Sequence, residues 1–454
     1  MERRTFLHST SVIVAGSLFT TLFACKDEIM EEVAAARTNW AGNLTYSTDQ
    51  LFEPTTEAEL LDHLKKLNHS KALGTCHSFN KVADSTHSQI SLAKMEKVME
   101  INAAESTVRV SAGIRYGELA AYLHENGFAL HNLASLPHIS IAGACATGTH
   151  GSGDPNGNLP SIVREVELIN AAGEKSILKK GIDPDFEGAV VGLGALGLIT
   201  HLKLEIQPDF EVRQDIYLDL PISSMEEHFE DIYAMGYSVS LFTDWANETV
   251  NQVWLKNRVG EEALDLPDDL FGAKAADRNV HPIIELSAEN CTDQMGVAGP
   301  WHERLPHFKM DFTPSSGDEL QAEFFVPREH AVEALLTVYA MGEKITPHLF
   351  ISEIRSIAAD DLWMSPCYQE ACIAIHFTWK PHTEEVMALL PQIEEALRPY
   401  RVRPHWGKLF TVSKEYLESI YSKMPDFRAL IDKYDPNRKF TNEYLQKFVY
   451  GGEA

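Results

Sequence analysis

Two glycine-rich loops near the start of the chain constrain its fold more than any other feature of the sequence. The first loop, Leu73–Asn80, contains His77, and the second loop is Ser140–Gly153. Small residues leave backbone N–H groups exposed, and hydroxyl side chains add donors, so such loops can bind a pyrophosphate without basic side chains. Two ordinary flexible loops are the alternative, which the occurrence of both loops together with His77 disfavours.

A third glycine-rich stretch, Gly192–Gly197, matches the G-x-G-x-x-G pattern of a dinucleotide-binding turn. A Rossmann fold requires a helix that opens at the last glycine and an acidic residue about 20 residues further on. Instead, apolar and polar residues alternate with a period of two in the later part of the following segment, Leu198–Leu204, which predicts a strand. We therefore expect no Rossmann fold, and expect these glycines to allow a tight turn or a close backbone approach.

Short strands, helices and glycine-rich turns are intermixed along the chain. Thr56 and Glu59 form a capping box before an amphipathic helix, and a second helix is predicted near Gly117–Asn126. Val163–Ile169 and Thr200–Ile206 alternate as strands. This mixture predicts the α+β class rather than a regular repeat of strands and helices.

The density of motifs falls near Pro208, which predicts a domain boundary there. The elements predicted beyond it are strands at Val212–Leu218, Phe324–Val326 and Ile373–Trp379 and helices at Glu329–Met341 and Glu384–Leu397. The predicted divisions are a signal peptide at 1–24, a tether at 25–45, a first domain at 46–207 and a second domain at 208–454.

The N-terminus has the pattern of an export signal. Arg3 and Arg4 precede an apolar, small-residue run, Ser9–Ala24, that is short for a bilayer span. The arginine pair resembles a signal read by the twin-arginine export machinery, and Leu22–Cys25 resembles a lipoprotein signal with a lipid anchor on Cys25. We therefore expect an exported periplasmic or cell-surface lipoprotein; an uncleaved anchor or a misassigned start is the alternative.

Composition excludes several classes of partner. The chain carries 39 Lys and Arg against 66 Asp and Glu, a formal net charge of −27, so no nucleic acid is expected as a partner. The six cysteines show neither a CxxC pair nor a metal-ligand spacing with histidines. No metal site is predicted, and lone histidines such as His138, His150, His201 and His405 are expected to be structural.

Two polar pairs with i, i+2 spacing lie in strand-like segments of the second region. They are Glu353 with Arg355 and His376 with Thr378. In a strand this spacing places both members on one face, so the two pairs can line a site. Taken alone, such pairs are more often an exposed strand face.

The first region resembles the FAD-binding domain of the vanillyl-alcohol-oxidase-type (PCMH-type) flavoproteins, and the whole chain after the signal is similar to alditol and sugar-lactone oxidases. The resemblance implies a two-domain FAD-binding fold, with an α+β substrate domain on an antiparallel sheet and a C-terminal segment, Asp435–Phe440, that returns to the FAD domain. It also implies that His77 bonds FAD covalently at the 8α-methyl carbon. A second covalent bond is not expected, because Ala134 stands where some relatives have a cysteine. The implied FAD contacts are Leu73, Gly74, Thr75, Cys76, His77, Ser78, Ser135, Ser140, Gly143, Thr147, Gly148, Thr149, His150 and Leu198.

The same resemblance implies a polyol pocket. Its implied members are Ser135, Glu353, Arg355, Thr378 and Lys408, with His376 beside them. Lys408 is the candidate for drawing the proton from the reacting hydroxyl, and a cationic lysine that stabilises negative charge is the alternative. Glu353 and Arg355 are expected to pair with each other and to hold two substrate hydroxyls.

The implied reaction is oxidation of a polyol by O2 to an aldose and hydrogen peroxide. Two alternatives keep the flavin: an aldonolactone or sugar as substrate, or a dehydrogenase that passes electrons to another acceptor. A surface sugar-binding lipoprotein without catalysis is disfavoured by the intact set of His77, Glu353, Arg355 and Lys408.

Overall fold

The structure is a computed structural model that describes residues 36–260, 266–311 and 319–452. The predicted signal peptide and Cys25 therefore lie outside the described residues. Within the described ranges, no helix has the length and apolar character needed to cross a bilayer.

Strands and helices alternate irregularly along the described chain. The strands before residue 210 are β1 (Leu51–Phe52), β2 (Lys71–Ala72), β3 (Gln89–Ile90), β4 (Met99–Asn102), β5 (Thr107–Ser111), β6 (Phe128–Ala129), β7 (Val163–Ile169), β8 (Lys175–Lys179), β9 (Leu198–Glu205) and β10 (Gln207–Pro208). The later strands are β11 (Glu211–Pro221), β12 (Ser238–Thr243), β13 (Thr249–Arg258), β14 (Asp269–Leu270), β15 (Ala273–Ala275), β16 (Gly299–Pro300), β17 (Leu320–Pro327), β18 (Leu349–Ile357), β19 (Cys372–Trp379) and β20 (Arg403–Pro404). The helices are α1 (Glu57–Lys66), α2 (Tyr116–Glu125), α3 (Ile141–Ala146), α4 (Phe186–Val190), α5 (Ile222–Ala234), α6 (Ala331–Tyr339), α7 (Gly342–Ile345), α8 (Thr383–Leu397), α9 (Lys414–Ile420), α10 (Met424–Tyr434) and α11 (Glu443–Leu445).

Two antiparallel sheets dominate the architecture. The smaller one has five strands in the order β4-β5-β9-β7-β8. The larger one has ten, in the order β14-β15-β11-β13-β12-β18-β19-β17-β20 with β16 beside β11. Helices, a small parallel sheet, β1-β3-β2, and an antiparallel pair of strands, β10-β6, complete the regular structure of the described residues. The predicted α+β class is confirmed.

Local sequence signals account for several element boundaries. Thr56 Oγ1 accepts a hydrogen bond from Glu59 N at 3.2 Å and caps α1, as predicted. The carboxylate of Glu59, however, accepts from Thr55 N at 2.8 Å rather than from Thr56 N, so the reciprocal half of the capping box is displaced by one residue. Gly197 has φ +145°, and β9 starts directly after it. The strand predicted after the G-x-G-x-x-G pattern is thus confirmed, in place of a helix.

Residues 36–45, the described part of the tether predicted at 25–45, pack against the first glycine-rich loop. Asn39 is buried, and its amide donates to Ser78 O at 2.9 Å. Trp40 N donates to Cys76 O at 2.8 Å, and the indole of Trp40 stacks on the His77 ring with centroids 5.2 Å apart. The segment packs on the first glycine-rich loop because the Asn39 amide donates to a carbonyl oxygen of that loop and the Trp40 ring stacks on its histidine.

The C-terminal segment folds back onto the first region. Lys439 Nζ donates to Leu64 O at 2.8 Å and to Ala171 O at 2.9 Å. The Asn442 amide donates to Lys81 O and to Asp84 O, at 3.0 and 2.9 Å. The last part of the chain therefore helps to hold together the region that carries both glycine-rich loops.

Candidate active site

A cavity of about 590 Å³ lies between the glycine-rich loops and the large sheet. Its volume is typical of a site for a cofactor or small molecule. Gly148, with φ +72°, turns the backbone and is the one predicted site residue that does not line it. The predicted residues that do line it are Leu73, Gly74, Thr75, Cys76, His77, Ser78, Ser135, Ser140, Gly143, Thr147, Thr149, His150, Leu198, Glu353, Arg355, His376, Thr378 and Lys408.

The two glycine-rich loops approach each other closely at Gly74 and Gly143, on either side of the Ser140 hydroxyl. A Cβ atom added to Gly74 would lie 2.7 Å from Ser140 Oγ, and one added to Gly143 would lie 2.8 Å from the same atom. Thr75 Oγ1 accepts from Ser140 N at 3.0 Å and joins the loops directly. Close backbone approach, exposed N–H groups and hydroxyl donors fit the pyrophosphate of FAD.

Lys71 is a cavity residue that the sequence analysis missed. Its Nζ donates to Leu193 O and Gly194 O, each at 3.0 Å, and to Phe440 O at 3.1 Å. Burial lowers the pKa of Lys71 to about 7. The only signal in the sequence was a lysine directly before the apolar residues Ala72 and Leu73 that lead into the first glycine-rich loop. Lys71 thereby links the G-x-G-x-x-G loop to the C-terminal segment.

His77 is held in one orientation at the edge of the cavity. Its Nδ1 lies 3.1 Å from Thr75 Oγ1, and its ring stacks on Trp40. Burial, followed by the nearby His138, lowers the pKa of His77 to about 4. The imidazole is therefore neutral near pH 7, and a neutral ring nitrogen has the lone pair that a nucleophile requires.

The two predicted polar pairs lie side by side on adjacent strands. Glu353 on β18 is directly opposite His376 on β19, and Ile351 is opposite Thr378. Glu353, Arg355, His376 and Thr378 all line the cavity, as the i, i+2 spacing predicted for one strand face. The large sheet therefore presents a polar surface to the space beside the glycine-rich loops.

Glu323 lies at the centre of this polar surface, and the sequence analysis did not identify it. Its carboxylate lies 2.6 Å from Arg355 Nη2, 2.7 Å from Lys408 Nζ and 3.2 Å from His150 Nε2. Burial opposes ionisation, but Lys408, His150 and Arg355 outweigh it and hold the pKa of Glu323 well below its usual range. An acidic residue inside the apolar strand β17 was the available signal.

The predicted pairing of Glu353 with Arg355 is the weaker of two contacts. Arg355 Nε lies 3.6 Å from Glu353 Oε1, and that nitrogen has no hydrogen-bond partner among the described residues. The shorter ion pair of Arg355 is with Glu323. Arg355 Nη2 thus binds Glu323 on β17, while Nε stays buried beside Glu353.

Lys408 contacts two groups of the polar surface. Its Nζ lies 2.7 Å from Glu323 Oε2 and 2.8 Å from His376 Nδ1. Because a lysine donates to Nδ1, the His376 ring carries its proton on Nε2, which donates to Thr378 Oγ1 at 3.1 Å. Burial lowers the pKa of Lys408, although Glu323 opposes this shift. Lys408 therefore loses its proton at a lower pH than a lysine in water does.

Comparisons with known proteins agree with this fold. A family model described as "FAD binding domain" matches residues 48–177, and one described as "D-arabinono-1,4-lactone oxidase" matches residues 315–448. The crystal structure of cholesterol oxidase from B. sterolicum has a similar fold, with a TM-score of 0.73 at 15% identity over 91% of this chain and 96% of that one. Fold and site together define a two-domain, FAD-dependent oxidoreductase.

Sequence relatives narrow the class further. The alditol oxidase of Streptomyces sp. is 45% identical over 92% of this chain and 100% of its own length. The L-gulono-1,4-lactone dehydrogenase of Mycobacterium tuberculosis is 27% identical over 90% and 98%, and the L-gulonolactone oxidase of Mus musculus is 26% identical over 91% and 98%. The chain belongs to the alditol oxidase family of flavoproteins.

Proposed function

We propose that the chain oxidises the CH–OH group of an acyclic polyol such as xylitol or sorbitol to the aldose, with reduction of O2 to hydrogen peroxide. The observation that carries this proposal is the polar sheet face beside the FAD-binding loops, in a chain 45% identical to an alditol oxidase. FAD, when bound in this cavity, supplies the hydride acceptor. The residues of the chain bind the polyol and move its hydroxyl proton.

Lys408 is the residue proposed to draw the hydroxyl proton. Its largely buried amine has a lowered pKa, and Glu323 and His376 fix the position of Nζ. Glu353 and Arg355 offer an acceptor and a donor to hydroxyl groups further along the polyol. Ser135 Oγ lies within 3.4 Å of both side chains and so joins the same group.

A covalent bond between His77 and FAD is a further part of the proposal. Its support is the neutral imidazole, which Thr75 and Trp40 orient at the cavity edge. We expect the flavin to remain with the acid-precipitated chain and a peptide containing His77 to carry the added mass. His77→Ala should release the flavin on precipitation, whereas the control His201→Ala, on β9 and outside the cavity lining, should retain it. Free flavin from the wild-type protein would refute the covalent bond.

A lactone or sugar substrate is the second candidate function. It is favoured by the match of residues 315–448 to the D-arabinono-1,4-lactone oxidase family and by the lactone-oxidising relatives. A panel of xylitol, sorbitol and L-gulono-1,4-lactone, added without oxygen while flavin absorbance is followed, separates the two. Faster bleaching by a polyol, and peroxide release on adding O2, supports the alditol oxidase. Bleaching by the lactone alone would overturn it, and slow reoxidation by O2 would indicate another acceptor.

Export and lipid anchoring are proposed from the sequence alone. Arg3, Arg4 and Cys25 are the residues concerned. We expect the wild-type protein in the membrane fraction, Cys25→Ser in the soluble envelope fraction, and a double replacement of Arg3 and Arg4 by Lys in the cytoplasm. An unchanged distribution of all three proteins would refute this part.

A further inference from the structure

Glu353 contacts a buried histidine, which in turn contacts a buried lysine, and neither residue takes part in the reaction proposed above. His307 Nε2 lies 2.7 Å from Glu353 Oε1, and Lys256 Nζ lies 3.1 Å from His307 Nδ1. Lys256 is only 1% exposed. A lysine is rarely buried to this extent without polar partners, so the three acceptors around Lys256 Nζ indicate the role of this residue.

The hydrogen bonds of Lys256 determine which nitrogen of His307 carries the proton. Lys256 Nζ donates to Leu305 O at 2.5 Å and to Pro306 O at 3.2 Å, and His307 Nδ1 is the third acceptor. Burial lowers the pKa of Lys256 to about 7, but both forms of this amine can donate to Nδ1, and the ionised Glu353 can only accept, so the ring proton lies on Nε2. That proton points at the Glu353 carboxylate.

The His307 ring is also fixed by packing. Phe242 and Trp254 contact it edge to face, with ring centroids 5.4 and 5.1 Å away. His307 N donates to Ser135 O at 3.2 Å, which ties the backbone of this residue to the cavity wall. Burial, followed by Lys256, lowers the pKa of His307 to about 4, so the ring stays neutral. The donor on Nε2 is therefore held in one place.

These contacts leave the two oxygens of Glu353 unequal. Oε1 accepts from His307 Nε2 and from Ser240 Oγ, which lies 2.8 Å away on β12. Oε2 has a single contact among the described residues, Ser135 Oγ at 3.4 Å. A carboxylate oxygen accepts about two hydrogen bonds. Oε1 is thus filled by the protein, and Oε2 retains capacity for a ligand.

We propose that Lys256 and His307 are positioning residues that fix Glu353 so that its Oε2 accepts a hydrogen bond from a substrate hydroxyl. This inference rests on the proposed polyol-binding role of Glu353. Removing Lys256 or His307 is therefore expected to weaken polyol binding and not to slow the reaction, because Lys408, not Glu353, lies at the reacting hydroxyl. The pair acts as one unit, because Lys256 reaches Glu353 only through His307.

Anaerobic reduction of the flavinylated protein by sorbitol or xylitol tests the inference, since it separates the apparent Kd of the polyol from the limiting rate. Lys256→Met and His307→Leu should each raise the Kd about tenfold and leave the limiting rate within about threefold. The double variant should also show about a tenfold rise in the Kd, because each single change already breaks the one chain of contacts from Lys256 through His307 to Glu353. His307→Gln, whose amide N–H replaces Nε2–H, should restore most of the affinity.

Thr292→Val is the matched control, because Thr292 Oγ1 donates to Pro306 O at 2.8 Å and supports the same segment without touching the His307 ring. Its Kd should stay within about twofold of the wild type. A Kd unchanged in Lys256→Met, a multiplied effect in the double variant, or an equal loss in Thr292→Val would overturn the inference. If Lys256→Met does not fold, the comparison of His307→Gln with His307→Leu decides. If no polyol bleaches the wild-type flavin, the proposed function fails, and the same variants are measured with the lactone that does.

Discussion

Replacing Glu323 by Gln removes a negative charge that contacts both Lys408 and Arg355 while keeping the size of the side chain. Lys408 Nζ lies 2.7 Å from Glu323 Oε2, and the Glu323 carboxylate raises the pKa of Lys408 against the effect of burial. Without that charge the pKa of Lys408 falls further. Because the neutral amine draws the proton, the rate of flavin reduction should reach its plateau at lower pH.

The size of this shift follows from the distance. At 2.7 Å and an effective dielectric constant of about 20, the attraction between the two charges is about 6 kcal/mol as an upper limit. Structural relaxation and the retained amide dipole reduce it, so we expect the acid limb of the limiting rate to move down by about 1–3 pH units. The variant also removes the carboxylate nearest to the buried side chains of Arg355 and Lys408, which should cost about 3–5 kcal/mol of stability and lower the Tm.

The acid limb is measured by rapid mixing of the protein with saturating polyol, in which the limiting rate of flavin reduction is followed across the pH range. The control is Glu394→Gln, which removes a buried carboxylate bound to Thr411 N, outside the cavity lining, and should leave the limb in place. A downward shift of the alkaline limb instead would mean that Lys408 acts as a cation. If neither limb moves in a folded, flavinylated Glu323→Gln protein, the assignment of Lys408 as a titrating group beside Glu323 is refuted.

Three further predictions concern the flavin side of the cavity. Gly74→Ala should lower flavin content several-fold, because its Cβ would lie 2.7 Å from Ser140 Oγ; absorbance per chain measures this, and full occupancy would contradict it. Ala134→Val should change the rate of reoxidation by O2 and leave reduction by polyol unchanged, since Ala134 lines the cavity; equal effects on both half-reactions would exclude a role in oxygen access. His77→Ala, expressed with its native N-terminus, should reach the envelope with little flavin or be retained in the cytoplasm; a normal flavin content in the envelope would refute a link between the covalent bond and export.

Features set by neighbouring residues were predictable from the sequence. Glycine spacing indicated the loops that contain Gly74 and Gly143, and alternation indicated the strand after Gly197 and the shared face of Glu353 and Arg355. In each case the cause lies within a few residues of the effect. Backbone conformation and strand periodicity are local properties, so a single sequence carries them.

Residues whose roles depend on distant pairing could not be found in this way. Glu323 lies 32 residues from Arg355 and 85 from Lys408 along the chain, and only the order of strands in the large sheet brings them together. His307 and Lys256 likewise meet Glu353 through tertiary packing. Periodicity marks which face a side chain takes, but it does not specify which strand becomes its neighbour.

The return of the C-terminal segment has a consequence for the order of events during synthesis. Lys71, in the wall of the cavity, donates to the carbonyl oxygen of Phe440, and Asn442 binds three carbonyl oxygens between Lys81 and Asp84. These contacts cannot form until Phe440 and Asn442 have left the ribosome. The wall of the cavity around Lys71 is therefore complete only after the C-terminal segment has been synthesised and has folded back.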